Sequence, residues 1–441
     1  MKQTTLAMLA TAGMGVSALT QQCTGTAVNE GGNYFCGAVD HILYQGLNTK
    51  GTYKAVTNML STGECQKTDQ AFSGPLAPLD QDLSLHIRGP IYVEEVAVYN
   101  LSADNKKKRD VAAALKKAHP RGHQHFHKLV KEKRSEWITA TINGDVVSWE
   151  KVYYGPKTEA PPAAPPAAAP TVAAAASPME GIANAVKDIG KSKGKSSGLD
   201  WDRVAYYNAG TQEVDNMIFM ANYGGQGSGV FDTTWGNSIS YLNAEGNGGS
   251  ASPETLKRVF IPSNKEFSIF SAEKCDQETC GFSRAEQIAY KGFAGGHKVF
   301  LFNFKMPLDG DRGFNGDMPA IWALNGAIPR TAQYNACNCW PECGEFDMFE
   351  VLAKGDTKCK STLHLKNGGG SSDYFPRPVD KYIKAAVVFD QDSTSMSISV
   401  LPDDIDFSEG LDDETVTSWI TGQGKTGGET IISSLFQLVG Q

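Results

Sequence analysis

After the first 19 residues, no stretch holds the roughly 18 consecutive apolar residues that a membrane-crossing helix needs, so no span is expected. Heptad composition is absent, which excludes a coiled coil. Charge is sparse at 20% of residues, and the net value of −8 lacks the basic excess of a nucleic-acid binder. Histidine is scarce too, and four of the eight fall between His119 and His127. What the chain does have is 41% hydrophobic residues, 10% aromatics and 46 glycines. That is too apolar for disorder and suits turn-rich β-structure, and a length of 441 suggests more than one domain.

The first 18 residues read as a signal peptide: Lys2, a short apolar stretch, then the small-x-small sequence Val16-Ser17-Ala18. Export is expected, and the segment 431–441 is too short and interrupted for a lipid-anchor signal. Nine cysteines in an oxidising compartment imply disulfides, with Cys275 and Cys280 suited to a local loop and one thiol left over. The run Cys337-x-Cys339-x3-Cys343 has the density of a zinc site, but no histidine lies nearby, so disulfides are preferred.

Residues 19–155 read as a smaller, β-rich N-terminal domain. Leu83, Leu85 and Ile87 alternate, a Gly89-Pro90 turn follows, and Trp137 to Tyr154 contains two strands around Asn143-Gly144. Asn100-Leu101-Ser102 is a glycosylation sequon, expected at a surface position. A basic, His-rich insert at 105–134 interrupts the domain. Its eleven Lys/Arg against two acids leave −17 for the rest of the chain, and its Lys/Arg clusters at both ends resemble dibasic processing sites. It reads as an exposed loop, with metal binding by His123, His125 and His127 as the alternative. Residues 156–198 are a Pro/Ala-rich linker. From 199 to 441 short strands and glycine-rich turns recur, with Phe300, Phe302, Phe304 and Met306 sharing a face and a hairpin across 390–394, which is the pattern of a β-sandwich.

The densest chemistry lies in Glu345-Phe346-Asp347-Met348-Phe349-Glu350. On a strand Glu345 and Asp347 share a face, and a β-bulge would bring Glu350 onto it. The two glutamates are then about four strand positions apart, roughly 13 Å at ~3.3 Å per residue. Side chains leaning together reduce this to about 5–6 Å, the separation of a retaining glycosidase pair. Three acids in six residues equally describe a solvated strand face or a calcium site. Against those readings, Phe346, Met348 and Phe349 require one buried face, and Trp322 and Trp340 offer platforms for sugar rings.

Glu345-x-Asp347-x-x-Glu350 after Gly344 resembles the catalytic strand of glycoside hydrolase family 16 in its bulged, laminarinase-like form. Met318-Pro319-Ala320-Ile321-Trp322 is similar to the preceding strand of that family, and Ser361-Thr362-Leu363-His364 to the following one. The whole chain also resembles the fungal cell-wall protein family named as a target of SBF, through residues 74–79, Arg88-Gly89-Pro90 and the Cys-rich lead-in to Glu345. The resemblance implies a concanavalin-like jelly roll and retaining cleavage of β-1,3-glucan in the cell wall. It assigns Glu345 as nucleophile, Glu350 as acid/base, Asp347 as assisting carboxylate, and Trp322 and His364 as substrate-cleft residues, to which the platform reading adds Trp340. The Cys337/Cys339/Cys343 cluster departs from the laminarinase pattern. A monomer without cofactor or metal is expected. Glucan transglycosylation and non-catalytic glucan binding are the alternatives.

Overall fold

The computed structural model describes residues 20–21, 23–102, 105, 137–142, 145–150, 197–366, 368–422 and 432–438. The leader, the histidine tract and nearly all of the linker lie outside them. The chain divides into two units, residues 1–108 with 190–441, and residues 109–189. The second contains the hairpin expected around Asn143-Gly144: Trp137–Ile142 pairs with Asp145–Glu150.

In the first unit the N-terminal segment supplies strands β1 (His41–Gln45), β2 (Asn48–Met59), β3 (Cys65–Pro75), β4 (Leu83–Arg88) and β5 (Tyr92–Leu101). Next come β6 (Trp201–Asn208), β7 (Met217–Ala221), β8 (Glu266–Ser271), β9 (His297–Lys305) and β10 (Ala320–Asn325). The last five are β11 (Glu345–Val351), β12 (Lys358–His364), β13 (Ile383–Asp390), β14 (Ser395–Leu401) and β15 (Ser433–Gln437), with helix α1 (Asp413–Thr421) before β15.

β2 and β3 pair with each other as a two-stranded sheet, and the other strands build two ten-stranded sheets. One runs β15-β1-β14-β13-β9-β5-β6, the other β7-β8-β4-β10-β11-β12, each with shorter strands at its edges. The all-β sandwich read from the sequence is thus observed. Its N-terminal part is the smaller one, and its strands are threaded among the later ones: β5 lies between β9 and β6, and β4 between β8 and β10.

Alternation explains the packing. Leu83, Leu85 and Ile87 from β4 meet Phe300, Phe302 and Phe304 from β9 in one core between the sheets. Aromatic edges lock the layers, with Phe304 and Phe349 centroids 5.2 Å apart and Tyr44 and Phe346 5.4 Å apart. The other face of β9 is buried as well, because Val299 and Leu301 lie under Val416 and Trp419 of α1.

Four disulfides join Cys23–Cys36, Cys65–Cys337, Cys275–Cys280 and Cys339–Cys343. The leftover thiol is Cys359, which is buried, and burial pushes its ionisation up to about 12. Cys337, Cys339 and Cys343 are all used in disulfides, so the zinc alternative falls away. Asn100 is half-buried within β5, paired to both Asp202 and Lys298, so the sequon does not sit on an exposed loop.

β5 ends where β6 begins: Leu101 faces Trp201, and the Ser102 amide donates to the Asp200 carbonyl at 2.9 Å. The intervening segment therefore leaves and re-enters at neighbouring points. A protease site engineered between residues 109 and 189, once cut, is expected to leave one folded particle. Electrophoresis should give a single band without reductant and two with it, because Cys65–Cys337 spans the cut.

Candidate active site

The site is built from strand register on the face of the second sheet that points away from the core. β11 lies between β10 and β12, and Leu324, Glu345 and His364 form one row across the three strands. Trp322, Asp347 and Thr362 form the next row, and Ala320, Glu350 and Lys360 the third. Ile321 faces Phe349 while Trp322 faces Asp347, so Met348 is the inserted residue of a β-bulge. The bulge lets Phe346, Met348, Phe349 and Val351 all enter the core, and Glu345, Asp347 and Glu350 share the opposite face. Gly344, just before the strand, sits at φ +103°, where a Cβ would lie 2.8 Å from Leu79 Cδ2, so only glycine fits that entry.

Asp347 is buried between the two glutamates and hydrogen-bonds with both. His364 Nε2 approaches Asp347 Oδ2 at 2.8 Å. Burial, and then the charge of Asp347, push the Glu345 carboxyl up to about 8. Burial and the neighbouring Glu350 hold Asp347 well above the usual carboxylate range. The coupled carboxyls therefore retain protons at neutral pH and share them as a group rather than each titrating alone.

Those shifts have a stability consequence. Glu345 binds its proton more tightly folded than unfolded, so its contribution is complete at pH 4 and is lost as pH rises through about 8. Glu345→Gln is expected to be more stable than the parent by on the order of 2–4 kcal/mol at pH 8.5. The gain should vanish near pH 4, and thermal unfolding of both proteins at the two pH values checks it.

Trp340, 49% exposed, donates its indole N–H to Glu345 Oε2, and its ring lies 5.9 Å from His364. Its loop is tied at Cys337 to β3 and at Cys339 to Cys343, and the Trp340 amide is held by Asn338 Oδ1 at 2.8 Å. Trp322 differs from the exposed platform expected for it. It is only 6% exposed, stacked on His86 at 5.3 Å with the Arg88 guanidinium 5.7 Å from its ring centroid, so it is floor rather than platform.

Sequence reading missed Arg88, His86 and Glu266. Arg88 Nη2 donates to Glu350 Oε1 at 3.3 Å, and Arg88 Nε to the Met318 carbonyl at 2.9 Å. His86 Nε2 lies 2.9 Å from Ser84 Oγ and its Nδ1 3.4 Å from Glu266 Oε1. This Ser-His-Glu order has the connectivity of a hydrolase triad, yet Ser84 is fully buried and no substrate reaches it. The available signal was the polar half of the β4 alternation, Ser84-x-His86-x-Arg88. Among the described residues, His297, Asp390 and Asp392 bring ligand-type atoms within 4.8 Å of one another. They belong to the other sheet and its hairpin, and His297 Nδ1 lies 3.1 Å from Asp390 Oδ1 in ordinary ion-pair geometry.

The family model for the C-terminal part of the cell wall protein YJL171C/Tos1 matches residues 199–419, and its N-terminal counterpart matches residues 40–101. The chain is 39% identical to a protein of Arthroderma benhamiae named "Probable circularly permuted 1,3-beta-glucanase", over 90% of this chain and 93% of that one. It is 38% identical to the Candida albicans protein named "Probable circularly permuted 1,3-beta-glucanase TOS1", over 93% of this chain and 96% of that one. The Saccharomyces cerevisiae protein of the same name is 36% identical over 93% of this chain and 95% of its own length. No solved structure matches. With both family models matched and relatives aligned over nearly their full length, the chain belongs to the YJL171C/Tos1 family of fungal cell wall proteins.

Proposed function

We propose that this protein is a secreted cell-wall glycosidase that cleaves β-1,3-glucan with retention of configuration. The observation that carries the reading is the Met348 bulge, which gathers Glu345, Asp347 and Glu350 on one face of the sheet. Glu345 is the nucleophile and Glu350 the acid/base. Asp347, held by His364, takes up and returns charge between them. The substrate class follows the names of the relatives, and four disulfides agree with export. The interleaved strand order, with β4 and β5 inside sheets made largely of later strands, agrees with the permutation in those names.

Incubation with reducing-end-labelled laminari-oligosaccharides, followed by product mass, tests it. Shorter products, absent with Glu345→Gln, are expected. Longer products would turn the reading toward transglycosylation. Intact substrate over days with folded protein would leave glucan binding alone.

A further inference from the structure

A groove of about 360 Å³ opens on the same sheet, beyond Arg88 from the carboxylates. Register connects the two: Glu266 faces Arg88, Arg88 faces Ala320, and Ala320 faces Glu350. Arg88 lines the groove and holds Glu350 from that side. Two aromatic rings on the lining are largely exposed, Phe314 at 79% and Tyr334 at 69%. Glu266 and Gln333 line the groove as well. Glu266 accepts from Gln333 Nε2 at 2.8 Å and from the Tyr334 hydroxyl. Flat apolar rings beside amides, a guanidinium and a carboxylate match a pyranose, which has apolar faces and a hydroxylated rim.

We propose that this groove is the leaving-group and acceptor saccharide subsite, a proposal that rests on the activity assigned above. In the first half-reaction the Glu345 carboxylate forms an ester bond to the anomeric carbon. The glycosidic C–O bond breaks, and its oxygen takes the proton of Glu350. The departing sugar is the one beside Glu350, on the Arg88 side. In the second half-reaction the Glu350 carboxylate removes a proton from an incoming O–H. That oxygen bonds the anomeric carbon, and the ester C–O pair returns to Glu345. With the groove empty the incoming O–H belongs to water; with it filled, to a sugar. Groove occupancy thus sets the ratio of transfer to hydrolysis, and Phe314, Tyr334 and Glu266 determine it.

Phe314→Ala and Tyr334→Ala change exposed side chains and are expected to fold, which thermal unfolding verifies. Two substrates separate the possibilities: laminaripentaose, and an aryl β-laminaribioside whose leaving group is a phenol and needs no sugar subsite. The double variant should lose roughly tenfold or more in kcat/KM on the pentaose, together with its longer products. On the aryl glycoside it should stay within about twofold of the parent. Equal losses on both substrates would place the groove on the other side of the cleaved bond and overturn the proposal, as would no loss on either. Calorimetric titration of laminaritriose into Glu345→Gln, with and without the groove substitutions, keeps the two readings apart. If the parent turned over neither substrate, the assigned activity would fail. The groove as a saccharide site would then stand on weaker triose binding in the double variant and fall on unchanged binding.

Discussion

Glu345→Gln is expected to lower turnover of linear β-1,3-glucan by roughly 10³-fold or more while leaving its affinity nearly unchanged. The amide keeps the shape of the carboxyl and can still accept from the Trp340 indole, so the cleft stays assembled. What it removes is the oxygen that bonds the anomeric carbon. Glu350→Gln should differ in kind. It should cost about 10²–10⁴-fold on glucan, where the leaving alkoxide needs a proton, and much less on aryl glycosides in the first half-reaction. Asp347→Asn should shift the pH profile, because the charge that helps hold the Glu345 carboxyl near 8 is gone. Steady-state kinetics on both substrate types reads all three.

The second large effect is on stability. Cys65–Cys337 closes a sequence separation of 272, and by the chain-entropy account the double substitution Cys65→Ser/Cys337→Ser should cost roughly 4–6 kcal/mol. Cys339–Cys343, with a separation of 4, constrains the unfolded chain far less, and its removal should cost only about 2 kcal/mol. Activity should rank the other way. Cys339 and Cys343 bracket Trp340, and Cys343 also anchors the lead-in to Glu345, its carbonyl accepting from Asn325 Nδ2 at 3.1 Å. Cys65, by contrast, ties the β2–β3 hairpin to the loop, while that hairpin packs Tyr53 and Phe72 against Trp322 and Leu324 independently of the bond. Denaturant midpoints should therefore fall most for the first pair, and kcat/KM for the second.

How much of this was legible in the sequence follows from what local pattern encodes. Alternation in Leu83–Ile87 and Phe300–Met306 fixes which side chains face the core, and those faces are as read. Alternation carries no information about partners, so nothing in residues 83–101 announced neighbours more than 160 positions away, such as Glu266 opposite Arg88. The carboxylate face was legible because Phe346, Met348 and Phe349 cannot all be buried without a bulge, which forces the acids together. Trp322 read as a platform because a tryptophan near acids suggests stacking, but its exposure depends on His86 and Arg88, which approach from another strand. The disulfide pairing was likewise open, since Cys65 and Cys337 meet only once the hairpin folds onto the sheet.

The central claim, that Glu345 forms a covalent glycosyl ester on this face, is tested most directly by trapping it. The protein is incubated with a 2-deoxy-2-fluoro-β-laminaribiosyl fluoride, which slows the second half-reaction, and the intact mass and peptide map are recorded. The account predicts one added glycosyl group per chain, located on Glu345 and absent from Glu345→Gln. An adduct on another residue, or full turnover of glucan with no adduct and unchanged activity in Glu345→Gln, would contradict it.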